Sequence, residues 1–171
     1  MDKNIKMKVI VSVLSLLILS MSPGVASTKN WSVRIGDDGI QQRAVCLLES
    51  DPRQIHDGQT TTPVKLVYNG KVLIAVTKSN IDLSYAGIGL QVDKQSIHAV
   101  DTLHKKTRVV FEKASNDIIQ EFIKGREARL VLGFWPSWPK TKTVTSHFSL
   151  RGFSRAYQAF QDCQQTGVVK K

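Results

Sequence analysis

Two short apolar runs meet across an Asn-Gly pair near the middle of the chain. Val64-Lys-Leu-Val-Tyr68 and Val72-Leu-Ile-Ala-Val76 flank Asn69-Gly70. Both runs are short and rich in the β-branched and aromatic residues that suit a pleated surface. Asn-Gly tolerates positive φ at both central turn positions, so the spacing predicts a tight type I′ hairpin.

Neighbouring segments have the same character. Trp31-Ser-Val-Arg-Ile35 alternates apolar and polar side chains as a half-buried strand does, and residues 43–48 form a second strand carrying Cys46. Residues 49–62 are polar, with Asp51-Pro52, Asp57-Gly58 and a threonine run, and are expected to form a loop. Residues 81–83 and 88–92 are expected strands on either side of Ala86-Gly87, Asp93-Lys94 is an expected turn, and residues 107–111 make another strand.

Two segments have helical spacing. In residues 115–124, Ile118, Ile119, Phe122 and Ile123 form an apolar stripe. Ser115 is the expected N-terminal cap, Asp117 suits the positive end of the dipole, and Gly125 is expected to end the helix in a left-handed conformation. Residues 152–165 place Phe153, Ala156, Tyr157, Phe160 and Cys163 on one face and Arg155, Gln158, Gln161 and Asp162 on the other. Residues 126–134 and 143–150 are the last two strands. This order predicts a mainly β fold, an antiparallel sheet or β-sandwich with two short helices, the C-terminal one packed on the sheet. It can equally be described as α+β.

The N-terminus is a separate unit. Lys3, Lys6 and Lys8 precede an apolar run over residues 9–19, and Gly24-Val25-Ala26 places small residues at a cleavage site. This is the secretory signal pattern, and the run is too short to span a bilayer, which takes about 20 residues. Residues 1–26 are therefore expected to be a cleaved signal peptide and residues 27–171 a single exported domain without a membrane span. The whole chain of 171 residues has a formal net charge of +10, and loss of the leader, with three lysines and one aspartate, leaves +8. The expected location is the periplasm or the outer surface.

The two cysteines, Cys46 and Cys163, are too few for a disulfide-dense scaffold or a four-cysteine zinc site. In an oxidising compartment an even pair reads as one structural disulfide. Closing a loop of that size, about 118 residues, is worth roughly 4–5 kcal/mol in chain-entropy terms. Buried free thiols and a redox pair are the alternatives. No Cys-x-x-Cys spacing supports the redox pair.

Catalytic patterns are missing. The sequence holds no Gly-x-Ser-x-Gly, no His-Glu-x-x-His and no glycine-rich phosphate loop. His98, Asp101 and His104 share one segment, but they are better read as a turn or strand edge than as an acid–base or metal site. Asp37-Asp38-Gly39 reads as a turn. No enzyme, cofactor or metal is expected.

The basic residues cluster as Lys105, Lys106 and Arg108; Lys124, Arg126 and Arg129; and Lys140 and Lys142. Such charge attracts acidic glycans, lipid headgroups or acidic proteins, and outside the cytoplasm nucleic acid falls down the list. The segment Phe134-Trp-Pro-Ser-Trp-Pro139 cannot continue a sheet ladder. Trp135 and Trp138 beside Arg126, Arg129, Lys140 and Lys142 have the composition of a binding hot spot. The alternative is that these tryptophans fold back over the edge of the core.

An early Trp31 strand, Cys46 in the next strand, Gly125 with basic residues after a short helix, and the ending Phe148-Ser-Leu-Arg-Gly-Phe-Ser-Arg-Ala-Tyr-Gln-Ala-Phe-Gln-Asp-Cys163 together carry a resemblance. The mature chain resembles the invasion-associated locus B family of small exported bacterial proteins. A similar ending occurs in periplasmic accessory proteins of type VI secretion. The resemblance implies a β-rich periplasmic or surface-associated domain, linked to virulence, with no known catalytic site. The expectation is a non-enzymatic binding or accessory protein acting on an envelope or host partner. An inhibitor of a cell-wall hydrolase and a glycan-binding module, both using the same tryptophan loop, and a periplasmic accessory protein of a type VI-like secretion system are the alternatives.

Overall fold

The computed structural model describes residues 26–28, 30–40, 44–135 and 142–169. In chain order these form β1 (Ala26–Thr28), β2 (Trp31–Asp37), β3 (Ala44–Ser50), β4 (Arg53–His56), β5 (Thr61–Tyr68), β6 (Leu73–Thr77), β7 (Gly89–Val92), β8 (His98–Ala99), β9 (Thr102–His104), β10 (Arg108–Phe111), α1 (Ser115–Lys124), β11 (Glu127–Leu132), β12 (Val144–Ser149) and α2 (Phe153–Thr166). The signal peptide over residues 1–26 falls almost entirely outside the described residues.

The strands make two antiparallel sheets. An eight-stranded sheet runs β1-β2-β3-β5-β6-β10-β9, with β4 added on β5, and a four-stranded sheet runs β12-β11-β7-β8. The mainly β fold with two helices is therefore the observed one, and α2 lies against β1, β2 and β3. Strand periodicity divides the large sheet into two faces. Cys46, Leu48, Leu66, Leu73, Ala75, Val109 and Phe111 face the main core. Leu47, Val67, Ile74 and Val110 form a second, smaller apolar cluster.

The main core lies where the helices and the small sheet close on the large sheet. Trp31 is buried there, its indole N–H donating to the Ser149 carbonyl at 2.8 Å. Its ring packs on Phe122 and Phe153, while Phe160 packs on Tyr68. Phe153, Ala156, Phe160 and Cys163 form the buried face of α2, as its spacing predicted. A disulfide joins Cys46 on β3 to Cys163 on α2. Gly152 sits at the strand-to-helix corner with φ of 87°, a conformation costly for any residue with a Cβ.

Several expectations are corrected. Residues 49–62 are not a loop. β3 continues through Ser50, and β4 pairs with β5 from Arg53↔Val64 to His56↔Thr61. The Asp57 carboxylate closes that hairpin by accepting the backbone N–H groups of Gln59 and Thr60 at 2.9 and 2.7 Å. β4 has no apolar alternation of its own, because Ile55 is its one buried residue.

The Asn69-Gly70 hairpin exists, but it is not a two-residue turn. Tyr68 pairs with Leu73, leaving four residues in the loop. Asn69 acts through its side chain, whose Oδ1 accepts the N–H groups of Lys71 and Val72, both at 2.9 Å. Residues 81–83 form no strand, since Ile81 makes one isolated bridge to Phe134.

Helix α1 has the expected span with different ends. Ala114 occupies the N-cap position, and the Ser115 hydroxyl is buried with no hydrogen-bond partner. Gly125 is extended (φ −82°, ψ 173°), not left-handed. It is glycine because of crowding: a Cβ there would lie 2.6 Å from Val92 Cγ1 and 2.8 Å from the Glu121 carbonyl oxygen. The left-handed helix end occurs on α2 instead, at Gly167 (φ 67°).

Candidate binding surface

The exposed end of β11 is built from three chain segments. Beyond Leu132 the chain runs beside residues 80–85, where Gly133 accepts the Asp82 N–H and the Trp135 N–H donates to the Asn80 carbonyl, both at 2.9 Å. Gly133 allows this approach, because a Cβ there would fall 2.3 Å from the Tyr85 ring and 2.9 Å from the Asp82 carbonyl oxygen. The third segment is the β9–β10 turn, whose Lys106 carbonyl accepts the Ile81 N–H at 2.7 Å.

These segments enclose an open recess of 350 Å³ lined by Asn80, Ile81, Asp82, Leu83, Leu103, Lys106 and Trp135. Phe134 and Ile81 point inward and are buried. Trp135, next along the chain, points outward and is 62% exposed, and Leu83 is 39% exposed. Covering the core edge is therefore the role of Phe134, not of Trp135.

Charge at this end comes chiefly from lysines. Lys105 and Lys106 occupy the two central positions of the β9–β10 turn with φ of 49° and 59°, and Thr107 N–H closes it on the His104 carbonyl at 3.3 Å. This is the mirror-image turn that hairpin twist favours, made here without glycine, at a conformational cost on the order of 1–3 kcal/mol per residue. Lys142 is exposed two residues before β12, whose Val144 pairs with Leu132, so register places it at the Trp135 end. Asp82 is the acidic group in the recess wall. Hydrogen bonds from the Ser84 backbone and side chain hold its carboxyl below the ordinary value.

The structure does not bring all the expected site residues together. Arg126 precedes β11 and Trp135 follows it, which at about 3.3 Å per residue puts them on the order of 30 Å apart. Arg129 lies on the exposed face of the small sheet, hydrogen-bonded to Gln91 and opposite His147. Arg108 separates from Lys105 and Lys106, turning to the second apolar cluster where Gly39 packs against its guanidinium. Trp138 and Lys140 lie outside the described residues. Asn80, Asp82, Leu83 and Leu103 were not anticipated, since the recess forms only where segments distant in sequence meet.

The residues of the histidine segment go to separate partners. His98 Nε2 lies 3.0 Å from a Glu121 carboxylate oxygen, while Asp101 accepts the N–H groups of Glu112 and Lys113 at 2.8 and 3.0 Å. His104 sits apart on β9, its Nε2 buried without a partner. Among the described residues no group of three or more His, Cys, Asp or Glu side chains could hold a metal ion.

A charged cluster on the large sheet also went unanticipated. Glu49 is buried in β3, and its carboxylate takes Arg34 at 2.7 and 2.9 Å and Lys65 at 2.9 Å. Burial alone would raise its pKa, but the two cations outweigh that and hold it below the ordinary value. The signal was available: a carboxylate ending the apolar run Cys46-Leu-Leu-Glu49 calls for partners across the strands.

No protein-family model matches the sequence, and no curated protein matches it. The fold is similar to that in the crystal structure of invasion associated protein B from Bartonella henselae, with a TM-score of 0.53 over 82% of this chain and 98% of that one. The two sequences are 22% identical over the match, so the likeness is one of fold. No helix among the described residues is long and apolar enough to cross a membrane.

Proposed function

We propose that this is an exported, non-enzymatic binding protein related to the invasion-associated locus B proteins, and that it presents the Trp135 end of the molecule to a component of the cell envelope or of a host surface. The observation that carries this reading is the pairing of Trp135 with Phe134. A large aromatic side chain stays in solvent although its neighbour is buried, and it does so beside a recess and three lysines. Exposed tryptophan in such a setting is the residue type that dominates binding energy at interfaces. The disulfide and the fold likeness support an exported location, with residues 1–26 as the leader.

The test is capture from native cell envelopes. Tagged mature protein and its Trp135→Ala variant are cross-linked to envelopes in parallel, and the bound material is identified by mass spectrometry and carbohydrate analysis. A component recovered with the parent and lost with the variant supports the reading. Identical recovery from both removes Trp135 as the binding residue.

A further inference from the structure

The recess beneath Trp135 joins an apolar plate, neutral and anionic hydrogen-bonding groups, and a cation. At 350 Å³ it lies near the lower end of the range of small-molecule sites, roughly 300–1,000 Å³. The main chain of Trp135 is held by its N–H to the Asn80 carbonyl, and its exposed ring, with two rotatable bonds, loses little entropy when a ligand stacks on it. Asn80 offers an amide, and the Asp82 carboxylate, which accepts the Ser84 N–H at 2.9 Å, offers an acceptor. Lys106 brings positive charge into the same wall, with Lys105 beside it.

We infer that the ligand of this surface is an anionic saccharide: a sugar ring stacked on Trp135, its hydroxyls donating to Asp82 and sharing hydrogen bonds with Asn80, and its carboxylate paired with Lys106. This deepens the reading above and rests on it. Lys105, Lys106 and Lys142 outnumber Asp82 at this end, which favours an anion. The main chain disfavours an extended acidic peptide, because the N–H groups of Ile81, Asp82 and Trp135 are already engaged by Lys106, Gly133 and Asn80. Strand addition needs such groups free. A planar anionic membrane would leave the recess unfilled. A saccharide needs no main-chain partners and has hydroxyls for an ionised acceptor.

The test is calorimetric titration of the disulfide-intact mature protein with a short oligogalacturonide, its fully methyl-esterified counterpart and an oligoglutamate of matching charge. Trp135→Ala and Lys106→Asn accompany it; asparagine tolerates the left-handed backbone at that position. Unchanged melting of both variants establishes that they fold. The free acid is expected to bind the parent at least about tenfold more tightly than the ester or the peptide, a difference typical of losing one charged contact. Trp135→Ala should abolish binding, and Lys106→Asn should bind acid and ester equally. Equal or tighter binding of oligoglutamate overturns the inference in favour of an acidic protein. So does failure of the saccharide to bind while envelope capture still depends on Trp135, a result that leaves the proposed function standing. If capture is also indifferent to Trp135, both readings fail together.

Discussion

Phe134 and Trp135 are neighbours in the chain with opposite surroundings: Phe134 is 3% exposed and Trp135 62%. The alternation arises because residues 133–135 run as a short extended strap beside residues 80–82, so successive side chains face opposite ways. Phe134→Ala is expected to cost about 3–5 kcal/mol as a buried aromatic truncation. Trp135→Ala should cost less than about 1 kcal/mol. Urea unfolding of the two variants separates the roles, and the reverse ranking would place Trp135 in the core.

Glu49 couples stability to acidity. Its folded-state pKa lies below the ordinary 4.5, so the Arg34 and Lys65 contacts contribute fully above that value and are lost as pH falls through the folded one. Arg34 and Lys65 keep about a third of their side chains in solvent (38% and 32%), so the effect should fall short of that of a fully buried pair. Glu49→Gln is expected to cost about 1–3 kcal/mol at pH 7 and progressively less below about pH 4. Chemical denaturation across that range should show the parent and variant curves converging.

The Cys46–Cys163 bridge constrains the unfolded chain strongly. Replacing both cysteines by serine is expected to cost roughly 4–5 kcal/mol and to lower Tm by more than about 10 °C. Differential scanning calorimetry of the double variant checks this, and reduction of the parent protein should reproduce most of the effect.

Gly125 tests crowding against backbone preference. Its φ of −82° suits any residue, yet a Cβ would press on Val92 and on the Glu121 carbonyl. Gly125→Ala should therefore destabilise by about 1–3 kcal/mol. A neutral or stabilising result, as expected for a glycine replaced without steric conflict, would show that Val92 can move aside.

What the sequence disclosed follows the range of the interactions involved. The spans of α1 and α2 were legible because their stripes of Ile118, Ile119 and Phe122, and of Phe153, Ala156 and Phe160, repeat within a few residues. β4 was not, since Arg53-Gln-Ile-His56 has one apolar residue and is a strand only because β5 lies beside it. Asn69-Gly70 signalled a hairpin correctly, but its turn type depends on the Asn69 side chain bonding the backbone. The reason for Gly125 is not legible locally, because the Val92 side chain that crowds it comes from β7, far earlier in the chain. The outward position of Trp135 depends on Phe134 closing the core, and Leu83 and Lys106 reach it from segments far away in sequence.

The C-terminal helix supplies Phe153, Phe160 and Cys163 to a core whose opposite wall is Trp31, Cys46 and Leu48. The first and last thirds of the chain thus complete each other. Without α2, the layer that carries Trp31, Cys46 and Leu48 lacks the side chains that cover it. Contacts of such long sequence separation are slow to form and come late in folding. The helix that fills the core and the cysteine that locks it belong to one element, so closing the layer and cross-linking it are a single late event.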